Sequence, residues 1–118
     1  MLDGEDYEAR SAALLMHYGL RIIARRYRCR MGEIDLVATD EHRLLFVEVR
    51  ARSHVSHGGA AASVDRKKQC KMARCATLFL SRHPEWGHLP CRFDVIAWEP
   101  GGARGTLAAR WIQAAFIG

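Results

Sequence analysis

The spacing of apolar positions changes several times along the chain, and each change marks an element. Over residues 7–18, Ala9, Ala12, Leu15 and Met16 recur at helical spacing and Gly19 follows as a stop, which predicts an amphipathic helix. Residues 20–27 set Ile22 and Ile23 among arginines, predicting a strand that leads into a basic loop. Residues 33–38 then alternate with period two, residues 39–43 are polar, and residues 44–50 are rich in β-formers. Two such runs around a short polar segment predict a hairpin. Residues 51–63, with Gly58-Gly59 and small neighbours, read as a loop, and Ser63 as the N-cap of a second helix over about 64–82. His83-Pro84 ends that helix, because proline restrains the residue before it. Residues 91–98 read as a strand, Pro100-Gly101-Gly102 as a turn and residues 107–116 as a last strand. The order helix, three strands, helix, two strands predicts a mixed sheet with helices packed on it.

With Glu41-His42 as a two-residue turn, Asp35 faces Glu48, Glu33 faces Arg50 and Val37 faces Phe46 on one side of the sheet. Ile34, Leu36, Val47 and Val49 then share the other side. Directly opposed carboxylates repel, and a divalent cation between them reverses the sign; Mg²⁺ prefers such oxygen donors. The plain alternative is a solvated outer face. Against it, Glu48 lies within Leu-Leu-Phe-Val-Glu-Val, a strand apolar enough to be deeply buried, where an unpaired glutamate is costly. A carboxylate pair with a cation two residues on suits phosphodiester hydrolysis, since a bound metal activates water and offsets charge on the leaving oxygen. Arg50 can stabilise the phosphorane-like transition state, but an arginine does not serve as the general base.

Bulk properties narrow this picture. A chain of 118 residues suits one domain spanning 1–118, and 49% hydrophobic with 26% charged residues reads as globular. The net charge of +5 is compatible with a polyanionic partner, although many small basic proteins bind no nucleic acid. Lys67, Lys71 and Arg74 form one basic helix stripe, and Arg25, Arg26, Arg28 and Arg30 a second cluster; with Arg50 and Arg52 these either grip phosphates or form solvated faces. The cysteines at 29, 70, 75 and 91 form no C-x-x-C pair, so zinc has little support and ordinary thiols are expected. No apolar run approaches the roughly 20 residues of a membrane span, and the acidic N-terminus is unlike a secretory signal. A reduced, cytoplasmic protein is the simplest account. The six histidines, His54 and His57 among them, show no ligand spacing. Trp86, Trp98 and Trp111 read as packing residues, and Asp94 as a structural salt bridge.

Asp-x(12)-Glu-Val-Arg, from Asp35 to Arg50, resembles the D…(D/E)-x-K signature of the restriction-endonuclease superfamily. Gly-Glu-Ile-Asp-Leu-Val-Ala at 32–38, Phe-Val-Glu-Val-Arg at 46–50, Gly-Gly-Ala-Ala-Ala-Ser-Val at 58–64 and Cys-Arg-Phe-Asp-Val at 91–95 narrow it, in order, to a resemblance to the bacterial YraN family. The resemblance implies an α/β, restriction-endonuclease-like three-layer fold, a mixed central β-sheet flanked by helices, related to archaeal Holliday-junction resolvases. It implies that Asp35 and Glu48 bind Mg²⁺ or Mn²⁺, and that Glu8 is the additional acidic residue of resolvase-like sites. The alternative for Glu8 is an exposed glutamate favoured by the helix macrodipole. Glu33 belongs to the family block and is expected to orient Arg50 through a salt bridge. The departure is Arg50, where the superfamily has lysine; a planar fork does not replace a point charge in a tight site. Lys68 either supplies that lysine from the second helix or is an exposed helix lysine. The nucleic-acid contacts expected are Arg30, Arg52, Lys67, Lys68 and Lys71. Three functions follow as expectations: a metal-dependent endonuclease of DNA, with branched or damaged DNA among the candidate substrates; a non-catalytic nucleic-acid-binding or adaptor protein on the same fold; and a nuclease of RNA. A homodimer would suit a two-strand cut.

Overall fold

The computed structural model describes residues 6–54 and 58–117; His57 and the acidic N-terminal residues 1–5 lie outside them. Helix α1 (Tyr7–His17) is capped by Asp6, whose carboxylate accepts the Ala9 N–H at 2.8 Å, and Gly19, at a φ of 88°, turns the chain after it. Strands β1 (Arg21–Cys29), β2 (Gly32–Thr39) and β3 (Leu44–Ala51) form an antiparallel meander. A short helix α2 (Gly59–Ala62) and the long α3 (Arg66–Arg82) carry the chain over the sheet to β4 (Cys91–Pro100), parallel to β3, and β5 (Leu107–Phe116) closes antiparallel to β4. The strand order is β1-β2-β3-β4-β5.

The architecture is an α/β fold in three layers. Leu36, Leu45, Val47, Ile96 and Trp98 pack against Ala12 and Leu15 of α1. The opposite alternation, Val37, Leu44 and Phe46, packs against Cys75, Ala76 and Phe79 of α3, and Val95 and Ala97 pack against Ala60 of α2. Because β3 is covered on both faces, its first half, Leu44 to Val47, reads as a continuous apolar run, as expected of a central strand with a parallel neighbour. Two buried polar groups are paired within the layers: Trp98 Nε1 donates to Ser11 Oγ at 2.8 Å, and the fully buried Asp94 forms the expected ion pair with Arg92 at 2.8 Å.

Several sequence expectations are corrected. The hairpin connection is residues 40–43 rather than a two-residue turn, because Asp40 Oδ1 accepts the N–H groups of His42 and Arg43. The register survives: Val37 does pair with Phe46 and Leu36 with Val47. Ser63 ends α2 instead of capping the long helix; Asp65 is that cap, accepting the Lys68 N–H at 2.9 Å. Ile34 does not share a face with Leu36. It packs in the α3 layer while Leu36, Val47 and Val49 pack in the α1 layer. The break in alternation coincides with Arg26 on the neighbouring strand, whose φ of 51° is left-handed. A disulfide joins Cys29 to Cys75, so these two are not ordinary thiols and the argument from free cysteines to a reducing compartment falls away. Cys70 and Cys91 are free and exposed. No helix among the described residues is long and apolar enough to cross a membrane.

Candidate active site

The site forms where two strands part. The β2–β3 ladder stops at Leu36–Val47, while β2 stays paired to β1 as far as Gly32 and β3 stays paired to β4 along its length. Beyond the last rung the Val49 N–H donates to the Asp35 side chain, to Oδ2 at 2.8 Å. Asp35 and Glu48 lie one step past the last pair, on the two arms of this fork.

Glu48 is 2% exposed. Its Oε2 lies 3.0 Å from Arg50 Nη2 and 3.4 Å from Lys68 Nζ, whereas Oε1 is buried without a hydrogen-bond partner among the described residues. Burial, and then the negative charge of Asp35, push the Glu48 carboxyl up from an ordinary 4.5 to about 8, against the partial relief given by Lys68 and Arg50. Arg50 Nε is likewise buried and unpaired, a spare donor beside the spare acceptor.

On the α1 side, carboxylate oxygens of Glu8, Glu33 and Asp35 all lie within 4.8 Å of one another. Glu8 is thus brought to the site and is not an exposed helix-end glutamate; its side chain is 14% exposed. The arginines of β1 neutralise this group. Arg26 Nε donates to Glu8 at 3.1 and 3.2 Å, Arg25 reaches the same carboxylate at 3.3 Å, and Arg28 lies 3.4 Å from Glu33. The left-handed backbone at Arg26, a conformation costing roughly 1–3 kcal/mol, is what turns this strand's arginines toward the acids.

Two expected pairings change accordingly. Glu33 engages Arg28, not Arg50, because the fork carries β2 away from β3 where that cross-strand pair would form. Lys68 is not an exposed helix lysine: in the first turn of α3, it points at Glu48. Arg25, Arg26 and Arg28 are committed to carboxylates rather than standing ready for phosphates. Arg30, Arg52, Lys67, Lys71 and Arg74 are exposed, with Arg30 beside the β1–β2 turn, Arg52 just past β3, and the other three along α3. Sequence reasoning missed the roles of Arg25, Arg26 and Arg28. Their clustering was visible, but which strand edge they lined was not.

The acid cluster around the strand fork, backed by an arginine and a lysine and flanked by exposed cations, gathers oxygen donors of the kind a divalent cation takes beside positive groups of the kind a phosphate takes. Comparison with known proteins fits the blocks that form it. The family model described as "Uncharacterised protein family UPF0102" matches residues 7–98, a stretch holding every acidic residue of the site. A UPF0102 protein of Alcanivorax borkumensis is 50% identical over 113 residues, covering 96% of this chain and 90% of the relative. One from Methylobacillus flagellatus is 49% identical over 113 residues (96% and 95% covered), and one from Pseudomonas syringae pv. tomato 46% identical over 116 residues (96% and 91% covered). The chain belongs to the UPF0102 family, also called the YraN family.

Proposed function

We propose that this chain is a divalent-cation-dependent endonuclease that hydrolyses DNA phosphodiesters, with branched or damaged DNA the substrates to try first. One observation carries the reading: among the described residues Oε1 of the buried Glu48 has no hydrogen-bond partner, and a second carboxylate, Asp35, lies beside it. A buried carboxyl raised this far is costly to ionise unless something completes it, and a divalent cation would do so. The donors are all oxygen, which suits Mg²⁺ or Mn²⁺. Asp35 and Glu48 would hold the ion, with Glu8 and Glu33 close enough to Asp35 to add oxygens. When bound, such an ion supplies Lewis acidity toward a phosphate oxygen and makes water more acidic. The chain's own groups do the positioning. The Val49 N–H fixes Asp35, and Arg50 Nη2 holds Glu48. Exposed Arg30, Arg52, Lys67 and Lys71 supply salt-dependent contacts to neighbouring phosphates.

A second reading, a non-catalytic nucleic-acid-binding or adaptor protein, draws on a different observation. Glu48 has Arg50 and Lys68, Glu8 has Arg25 and Arg26, and Glu33 has Arg28, so much of the acidity is balanced within the chain. The test is incubation of end-labelled single-stranded, duplex, flap and four-way-junction DNA with Mn²⁺, Mg²⁺ or EDTA, alongside Asp35→Asn and Glu48→Gln. Metal-dependent cuts lost in both variants support the enzyme. Binding that weakens with salt, without cleavage under any metal, supports the adaptor.

A further inference from the structure

The first turn of α3 runs against the ordinary electrostatics of a helix. Anions are favoured at an N-terminus and cations at a C-terminus. Yet Arg66, Lys67 and Lys68 are the first three residues of α3, and no acidic residue shares that turn. Arg66 and Lys67 are exposed, whereas Lys68 has a side chain only 24% exposed and an ammonium 3.4 Å from Glu48 Oε2. Its backbone is pinned there, since its own N–H is the one that Asp65 caps. Glu48 Oε2 already has Arg50 at 3.0 Å, arriving along β3. Two cations therefore converge on one oxygen from two different layers of the fold.

Charge counting says what the second is for. Asp35 and an ionised Glu48 carry two negative charges against the two positive ones of Arg50 and Lys68, while Glu8 and Glu33 are met separately by Arg25, Arg26 and Arg28. Adding a divalent ion leaves a surplus of two positive charges, which matches a phosphodiester that goes from one negative charge to two as water attacks. An ammonium is a compact charge with three donors, and its ion pair with Glu48 leaves donors to meet a non-bridging phosphate oxygen.

We propose that Lys68 is the residue that grips the phosphate being cut, delivered from α3, and that Arg50 is a positioning residue that holds Glu48. Arg66 and Lys67 extend the same turn to the adjoining phosphates of the strand. This rests on the endonuclease reading. In the hydrolysis the oxygen of water bonds to phosphorus and the bond to one ester oxygen breaks. The proton of water passes to solvent and the departing oxygen takes one up. Lys68 takes no part in the proton transfers and stabilises the charge gained by the non-bridging oxygen.

The test compares wild type, Lys68→Met, Lys68→Arg and the double variant Lys68→Met/Arg50→Lys. It reads kcat and KM for Mn²⁺-dependent cleavage of a labelled DNA, and the rise in melting temperature on adding Mn²⁺ alone. We expect Lys68→Met to lower kcat by about 100-fold or more, with KM changed far less and the Mn²⁺-induced rise kept. Lysine returned at position 50 in the double variant recovers at least part of the lost kcat. The proposal is overturned if Lys68→Met cleaves within a few-fold of wild type. It is also overturned if that variant loses the Mn²⁺-induced rise together with cleavage, for then Lys68 merely supports Glu48. Wild type that cuts no DNA with any metal removes the endonuclease reading itself, an outcome distinct from the other two.

Discussion

Replacing Glu48 by glutamine keeps the shape of a buried side chain and takes away a charge that the metal-free fold accommodates poorly. The carboxyl titrates near 4.5 in water and is pushed up to about 8 in the folded protein, first by burial and then by Asp35. The sign follows from linkage. Below pH 4.5 the group is neutral in both states and contributes nothing. As pH rises toward 8 the unfolded chain ionises freely while the folded one resists, so Glu48 erodes stability across that window and the loss levels off above it. At about 1.4 kcal/mol per pH unit the ceiling is roughly 5 kcal/mol, and relaxation around the charge brings the expectation to about 2–5 kcal/mol. For a chain of this size that is on the order of 10 °C in melting temperature.

The assay is unfolding of wild type and Glu48→Gln in EDTA at pH 5, 6.5 and 8.5. Other groups titrate in both proteins, so the difference between them is the quantity to follow. It should be small at pH 5 and grow in favour of the variant by pH 8.5. Adding Mg²⁺ or Mn²⁺ at pH 8.5 should then raise the melting point of wild type and not that of the variant, since the ion binds the folded state through the carboxylate. Difference curves that stay flat from pH 5 to 8.5 would show that Glu48 is neither desolvated nor crowded by Asp35, and the argument for a cation would fail with it.

Three further outcomes are expected. Asp35→Ala strands the Val49 N–H and should cost about 1–2 kcal/mol by urea unfolding, whereas Asp35→Asn keeps an acceptor and should cost less, while both abolish stabilisation by metal; equal costs would mean the bond to Val49 is unimportant. Asp94→Ala removes the acceptor for Arg92, Trp111 Nε1 and the Ala114 N–H and should cost about 3–5 kcal/mol without weakening the metal response, and a cost under 1 kcal/mol would contradict the pairing described. The Cys29–Cys75 bond spans 46 residues, so reduction should remove up to about 4 kcal/mol, with two cysteines alkylated before reductant and four after it; four alkylated from the start would contradict the bond.

Much of the fold was legible because local signals agreed. Gly19 after a helical stripe, a polar break between two β-rich runs and a buried strand reading Leu-Leu-Phe-Val left little choice of element or of register. The site was legible only in part. Asp35 and Glu48 could be paired from hairpin geometry alone. Lys68 could not be assigned to the site, since its direction depends on the phase of α3, and choosing Ser63 over Asp65 as the cap shifts that phase by roughly half a turn. The Glu33–Arg50 pairing failed for a reason absent from periodicity: a ladder that opens at one rung sends its two arms to different neighbours. Two cysteines 46 positions apart carry no pairing signal, because spacing does not reveal which strand end meets which helix face.

The two carboxylates of the fork also differ in what the fold itself gains from them. Asp35 accepts the Val49 N–H at the point where the ladder stops, so a chain relieved of any chemical duty would still benefit from keeping it. Glu48 is a burden to the fold whenever its charge is uncompensated. Drift after loss of activity should therefore erase Glu48 first and leave Asp35 behind. Within the family, a relative that keeps the aspartate but has an apolar residue at the glutamate position would be the mark of retired chemistry, and retention of both the mark of a site still in use.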